Sequence, residues 1–261
     1  MNVQVTPGSF SFALYSLFHR GVRYSTVIDA GCADGYFFLS HHALGLFPEA
    51  VPFHVDANPL YEDSLKAIKR VVGGEYFIGA LAERDGELEM TSGAHPYWNS
   101  VLPPEHPYWR KLNSLSGTKS KVPAATLDSL ATRFSLPGPY LLKLDIQGGE
   151  LGALQGASKV LDQTQVVVCE ADSDDFDALH GYLTARGFQI CDLTQHAWLP
   201  DGSLGWFYPV YIHRRLASLK RETFWDQADN EAVLRTQVER REMILKENAL
   251  YLAQLAQRKP G

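Results

Sequence analysis

The segment Val27-Ile28-Asp29-Ala30-Gly31-Cys32-Ala33-Asp34-Gly35-Tyr36 joins a β-branched run, a glycine turn and the start of a helical pattern. Glycine permits a sharp turn and lets a ligand approach the main chain. The first turn of a helix offers N–H groups with no partner inside the helix. In an α/β sheet, ligands collect at such turns, beyond the carboxyl ends of the strands. The residues between the glycines narrow the ligand. A nicotinamide dinucleotide needs a glycine where Ala33 stands, so that its pyrophosphate can come close. The Asp34 carboxylate that follows is unwelcome beside phosphate. Asp29 is placed to meet an ammonium, and Asp56, ending the next apolar run, to accept both hydroxyls of a ribose. This set suits a cationic sulfonium ligand that carries no phosphate.

A second group of ionisable residues lies further on. Asp145 ends the run Tyr140–Asp145, and Lys143, two residues earlier, shares its face of a strand. An ionisable strand end at a ligand crevice has little structural reason to exist, which marks Asp145 as a catalytic candidate. Lys143 either acts on an acceptor or pairs with Asp145 or Glu150. Glu150, just inside the following helical stretch, is a substrate-binding candidate. Glu170 ends the next strand-like run, and Asp172, Asp174 and Asp175 follow it. Asp145 with Glu170 or Asp172 offers the oxygen ligands that Mg²⁺ prefers. Asp174 and Asp175 read as helix N-terminal caps. Two copies of His-Pro-Tyr-Trp, at residues 95–98 and 106–109, fit no secondary-structure period. Trp98 and Trp109 can stack on a sugar ring or another flat group. His95 or His106 can serve as a base near neutral pH. The alternative is that the tryptophans fill a local satellite core.

The elements that must position these residues alternate. Strands are expected at Thr26–Ala30, Val51–Asp56, Glu75–Ala82, Tyr140–Asp145, Gln165–Glu170, Gln189–Leu193 and Tyr208–His213, with an antiparallel piece at Glu87–Met90. Helices are expected at Tyr36–Leu46, Leu60–Val72, Leu127–Phe134, Glu150–Leu161 and Asp175–Arg186. Repeated β-α units imply a doubly wound, mostly parallel, seven-stranded sheet with helices on both faces, a Rossmann-like α/β fold. Residues 91–119 interrupt the rhythm as an irregular insert. Phe10, Ala13, Leu14, Leu17 and Phe18 have helical spacing, so residues 1–25 form an N-terminal helical segment ahead of a ligand-binding domain at 26–215. Residues 216–261 form a C-terminal helical extension. Its stripe of Leu234, Val238, Arg241, Leu245, Asn248, Leu252 and Leu255 reads either as a solitary helix or as a homo-oligomer seam.

Composition sets the outer limits. With 45% hydrophobic and 21% charged residues and a net charge of −6, this is an ordinary globular composition without general attraction to nucleic acid. Three cysteines without metal-type spacing suggest reduced thiols in a cytoplasmic protein. No apolar run approaches the ~20 residues of a membrane span.

Four blocks carry a resemblance: VIDAGCADGYF (27–37), FHVDANP (53–59), ALAERDGELEM (80–90), and VPAATLDSL (122–130) running on to YLLKLDIQGGELGALQGASKVL (140–161). Together they resemble the FkbM family of S-adenosylmethionine-dependent methyltransferases. The resemblance implies a class I methyltransferase domain. Its cofactor would be held by Asp29, Gly31, Cys32, Ala33, Gly35, Tyr36, Phe37, Asp56, Ala57, Ala80, Leu81, Ser100 and Asp145. Asn99 and Ser100 match a polar position of the family, so Asn99 joins Trp98, Trp109 and Glu150 as a substrate contact. Family members are mostly O-methyltransferases, often of sugar hydroxyls on antibiotics, glycolipids or polysaccharides, so a small-molecule or carbohydrate acceptor is expected. Two positions depart from the family. Asp56 is more often Glu, and Gln147 is commonly Glu, so no role of a carboxylate at 147 transfers. A nicotinamide-dependent oxidoreductase and a non-catalytic cofactor-binding assembly module stand as alternatives.

Overall fold

In the computed structural model, residues 5–93, 95, 98–103, 105–106, 118–219 and 238–250 are described. The chain divides into a unit at 1–219 and a second at 220–261. Within the second, residues 238–250 are helical and exposed throughout. Leu234, Leu252 and Leu255 of the expected stripe lie outside the described residues.

The first unit is built on a parallel core of five strands. These are β1 (Thr26–Ala30), β2 (Val51–Asp56), β3 (Glu75–Ile78), β8 (Tyr140–Leu144) and β9 (Thr164–Cys169), in the order β3-β2-β1-β8-β9. β1 and β8 are buried at every position, as a strand covered on both faces must be. Beyond β9 the chain reverses. β12 (Leu204–His213) pairs antiparallel with β9, and β11 (Phe188–Trp198) pairs antiparallel with β12. The sheet holds eight strands where seven were expected. The extra one is β10 (Ala171–Asp172), which pairs with β12 at Phe207 and Trp206, on the edge that β9 also uses. β9 and β10 are thus one course of chain, broken at Glu170.

Helices cover both faces, and the sheet separates two cores. One core packs Ile28, Phe53, Leu142 and Val167 against Leu127, Leu154 and Leu161, and the other packs Val27, Leu141 and Val168 against Leu14, Leu17 and Phe38. The expected strand at Glu75–Ala82 is in fact two. β3 ends at Ile78, and β4 (Ala80–Leu81) joins a second, four-stranded sheet of order β4-β7-β5-β6. The break falls at Gly79, where a Cβ would crowd the Phe77 ring and the Pro123 carbonyl. β5 (Gly86–Ser92) contains the expected antiparallel piece. β7 (Lys119–Ala125) and the short β6 (Asn99–Ser100) were not expected from sequence. Polar Lys119 and Lys121 and the interior Pro123 hide the alternation of β7. The long helix expected at Glu150–Leu161 is likewise two, α5 (Glu150–Gln155) and α6 (Ser158–Gln163). At Gly156, between them, a Cβ would strike the Ala82 carbonyl oxygen.

The Thr-Leu-Asp-Ser stretch at 126–129 ties these parts together. Thr126 caps α4 (Leu127–Arg133), its hydroxyl accepting from Ser129 N at 3.1 Å. Asp85, in the β4–β5 turn, accepts from Thr126 N at 2.7 Å and from the Ser129 hydroxyl at 2.6 Å. Asp128 reaches across to α6, which has no side-chain cap of its own. It accepts from Lys159 N at 2.9 Å and Val160 N at 2.9 Å. A cap supplied from a distant position stabilises as a local one does. Asp128→Ala is therefore expected to lower unfolding free energy by about 1–2 kcal/mol, read from urea denaturation. An unchanged midpoint would mean that water replaces the cap.

Candidate active site

A cavity of about 380 Å³ opens at the carboxyl ends of β1, β2 and β8. The glycine turn forms one wall. Gly31, at φ 67°, lies where a Cβ would run into the Asp145 carbonyl oxygen, so only glycine lets β1 leave the sheet beside β8. Ala33 also has positive φ, 46°, and its N–H donates to Asp56 Oδ2 at 2.9 Å. Asp56 Oδ1 accepts from Asn58 N at 2.8 Å. The Asp56 carboxylate is thus held at the cavity edge by main chain alone. Burial raises its pKa, against those two hydrogen bonds.

Of the expected cofactor contacts, Gly31, Ala33, Asp56, Ala57, Ala80, Leu81, Ser100 and Asp145 line the cavity. Five do not. Cys32 is buried with Leu65 and Ile68, and its thiol donates to the Ala33 carbonyl. Gly35 caps α2 (Tyr36–Ala43) in a left-handed conformation, with His54 and Ile68 against it. Tyr36 is 60% exposed, and Phe37 lies in the core beneath α2. Asp29 is the main correction. It is wholly buried, and Lys143 Nζ lies 3.3 Å from its Oδ1. Asp29 is the registered neighbour of both Lys143 on β8 and His54 on β2, so the three form a polar row under the turn.

Lys143 is corrected with it. Its ammonium does not reach the cavity. It donates to the carbonyls of Gly31 at 2.8 Å and Ala30 at 3.3 Å, and lies 3.3 Å from Asp145 Oδ2. Burial pulls the Lys143 pKa down, but Asp145 and Asp29 outweigh it and leave the ammonium above the ordinary lysine value. This cation clamps the turn onto β8 and is not positioned to touch an acceptor. His54, next in the row, is pushed down by burial, so its imidazole stays neutral.

The cavity floor is acidic. Asp145, Glu150, Glu170, Asp172 and Asp175 line it together with Tyr208 of β12. Gln147 Nε2 donates to Asp145 Oδ1 and to Glu170 Oε2, each at 3.0 Å, and the Tyr208 hydroxyl donates to Glu170 Oε1 at 3.2 Å. Burial, then the neighbouring Asp145 and Glu150, push Glu170 well above the usual carboxylate range. Glu150 is 2% exposed and accepts from Ile146 N at 2.8 Å. Burial pushes it up to about 7. A magnesium ion on Asp145 with Glu170 or Asp172 finds no support. Among the described residues no three His, Cys, Asp or Glu side chains converge as a metal site. Asp145 and Glu170 are bridged by the Gln147 amide, and Asp172 Oδ1 accepts from Asp174 N and Asp175 N.

The insert closes another side. Trp98 and Asn99 line the cavity, and Ser100 Oγ donates to the Gln147 carbonyl. His95 packs its ring against Trp98, 5.2 Å between centroids, outside the lining. His106 is also outside it, so neither histidine is placed as a base. Trp109 lies outside the described residues. Sequence reasoning did not find Trp206, Tyr208 or Leu199, which reach the site from the β11–β12 hairpin. The alternation of Trp206 and Tyr208 along one strand face is the only local signal for them.

Among the described residues every charged lining side chain is a carboxylate, and no Lys, Arg or His takes part. A site of one sign rejects a pyrophosphate and accommodates a positively charged ligand. A parallel sheet of this order, with a glycine turn after β1 and acids ending β2 and following β8 and β9, defines a class I methyltransferase domain. Residues 60–190, just over half of the chain, match the methyltransferase FkbM domain, and the chain belongs to that family. The match begins after the glycine turn and Asp56. No curated protein matches the chain. Among solved structures it is similar to the methyltransferase FkbM from Methylobacillus flagellatus KT, with 16% identity, a TM-score of 0.46, and coverage of 71% of this chain and 43% of that one. It thus spans less than half the length of that protein. It is also similar to a precorrin-6y C5,15-methyltransferase from Geobacter metallireducens GS-15, with 12% identity, a TM-score of 0.40, and coverage of 77% and 84%. An rRNA methylase from Streptococcus thermophilus shows 13% identity, a TM-score of 0.41, and coverage of 81% and 99%. No described helix is long and apolar enough to cross a membrane.

Two outcomes follow from the buried charges. Lys143→Met strands Asp29 without its cation and should cost about 3–5 kcal/mol in urea unfolding. An unaltered stability would return Lys143 to the list of groups that act on an acceptor. Glu150 holds its proton up to about pH 7 in the folded chain, against an ordinary 4.5. Below that window both states are protonated and above it both are ionised, so stability falls as pH rises from 4.5 to 7. Glu150→Gln should remove up to about 3 kcal/mol of that fall, seen as a flatter profile of unfolding temperature against pH.

Proposed function

We propose that this protein transfers a methyl group from S-adenosylmethionine to a hydroxyl oxygen of a sugar, glycolipid, polysaccharide or glycosylated natural product. The observation that carries the reading is the cavity whose charged groups are all carboxylates, facing the indoles of Trp98 and Trp206. S-adenosylmethionine, when bound, supplies a methyl activated by a sulfonium charge. Asp56 would accept from its ribose hydroxyls, and Gly31, Ala33, Ala57, Ala80 and Leu81 would form the wall around its nucleoside. Asp145 would take the proton of the acceptor hydroxyl, and Trp98 and Asn99 would hold the acceptor in line. Aligning the reactants accounts for much of the rate in such a displacement. The nicotinamide-dependent alternative is disfavoured, because no described lining residue carries a positive charge toward a phosphate. The same all-acid lining disfavours a polyanionic acceptor.

Calorimetry should show one S-adenosylmethionine or S-adenosylhomocysteine bound per chain, with Asp56→Ala weakening it about tenfold or more. Asp145→Asn should cut turnover by about 100-fold. Folded protein that binds neither cofactor form sinks the proposal.

A further inference from the structure

We infer that Gln147 is a positioning residue that converts Asp145 and Glu170, two acids facing one cavity, into a single proton-sharing pair with a fixed orientation. Each hydrogen of its amide goes to a different carboxylate, at 3.0 Å in both cases. The other oxygen of each acid has its own neighbour. Asp145 Oδ2 lies 3.3 Å from the Lys143 ammonium, and Glu170 Oε1 accepts from the Tyr208 hydroxyl at 3.2 Å. Gln147 is therefore a donor to both acids, the Tyr208 hydroxyl from β12 also lies in hydrogen-bond contact with both, and Lys143 completes the frame from below. The remaining charged groups near the pair are Glu150 on α5, Asp172 at the end of β10 and Asp175 beyond it, all acids. No second cation faces it among the described residues.

The backbone supports this role. Gln147 has φ 62°, a left-handed conformation that a residue with a side chain rarely adopts. It is held there from the insert, because Ser100 Oγ donates to the Gln147 carbonyl. Leu102 packs where a Cβ on Gly148 would go, so the following residue is fixed as well. An amide is suited to the position. A carboxylate at 147 would bring a third acid that donates only when protonated, and an apolar side chain would remove the amide donor from both acids. The consequence for turnover rests on the reading of Asp145 as proton acceptor. The arrangement itself does not.

The test uses the full chain with ¹³C-labelled Asp and Glu carboxyls, titrated by NMR as wild type, Gln147→Glu and Gln147→Leu. In Gln147→Leu the Glu170 titration should move upward by about one pH unit, because the charged form loses its amide donor. In Gln147→Glu one more proton should be held near neutral pH than in wild type. If methyl transfer to a hydroxyl is observed, the acid limb of kcat/KM should shift in Gln147→Glu while cofactor affinity stays unchanged. If it is not, the titration still reads the pair. Titrations of Asp145 and Glu170 that match wild type in both variants would overturn the inference. Loss of the fold in both variants would do so too, since the amide would then be a structural support.

Discussion

The buried ammonium of Lys143 is the interaction on which the site depends. It is the only cation described in the neighbourhood of the turn, and it has four oxygen neighbours: the carbonyls of Ala30 and Gly31, Asp29 Oδ1 and Asp145 Oδ2. A charge placed in a core costs several kcal/mol unless it is paired and hydrogen-bonded. Here the pairing also does geometric work. The two carbonyls belong to the last residue of β1 and the first of the glycine turn, so satisfying the lysine fixes the turn's departure angle. The turn then places Ala33 N on Asp56, and Asp56 on the cavity edge. Asp29, which looked like a ligand contact, is part of the foundation.

One cation cannot balance the acids around it. Asp145, Glu150, Glu170, Asp172 and Asp175 all face the cavity. The structure lowers the cost by raising the proton affinity of two of them. Burial raises Glu150 and Glu170, and the Gln147 amide and Tyr208 hydroxyl supply donors where a second cation would otherwise be required. The break in the β9–β10 course follows from the same demand. An uninterrupted strand would turn Glu170 into the ladder with β12. The break frees the residue, whose N–H still pairs with the Leu144 carbonyl at 2.8 Å while its side chain enters the site.

Much of the scaffold was legible because hydrophobic runs and glycines report local geometry. Thr26–Ala30 and Val51–Asp56 have the predicted ends, and the helical spacing of Phe10 to Phe18 falls in α1 (Phe10–His19). The site was legible only in part, for two physical reasons. Strand parity places Lys143 and Asp145 on one face but does not say which of them reaches past the sheet edge. Cross-strand partners are also invisible locally. Only the registers of Asp29 with Lys143 and His54 show that the carboxylate has a neighbour inside the protein. Trp206 and Tyr208 arrive from a hairpin more than a hundred residues from the glycine turn, so no spacing rule connects them.

The insert, which broke the α/β rhythm, is joined to the acidic floor and does not merely border it. β6 pairs with β5, which pairs with β7, and β7 runs directly into the Thr126 cap. At its other end β6 delivers Ser100 to the Gln147 carbonyl, and the next residues bring Leu102 onto Gly148. The segment that brings Trp98 and Asn99 to the cavity is therefore continuous in packing with the residue that bridges Asp145 and Glu170. Packed interiors transmit displacement poorly as continuous deformation and well as discrete rearrangement. A shift of β6 is accordingly felt at Gln147 and Gly148 through the Ser100 hydroxyl and the Leu102 side chain.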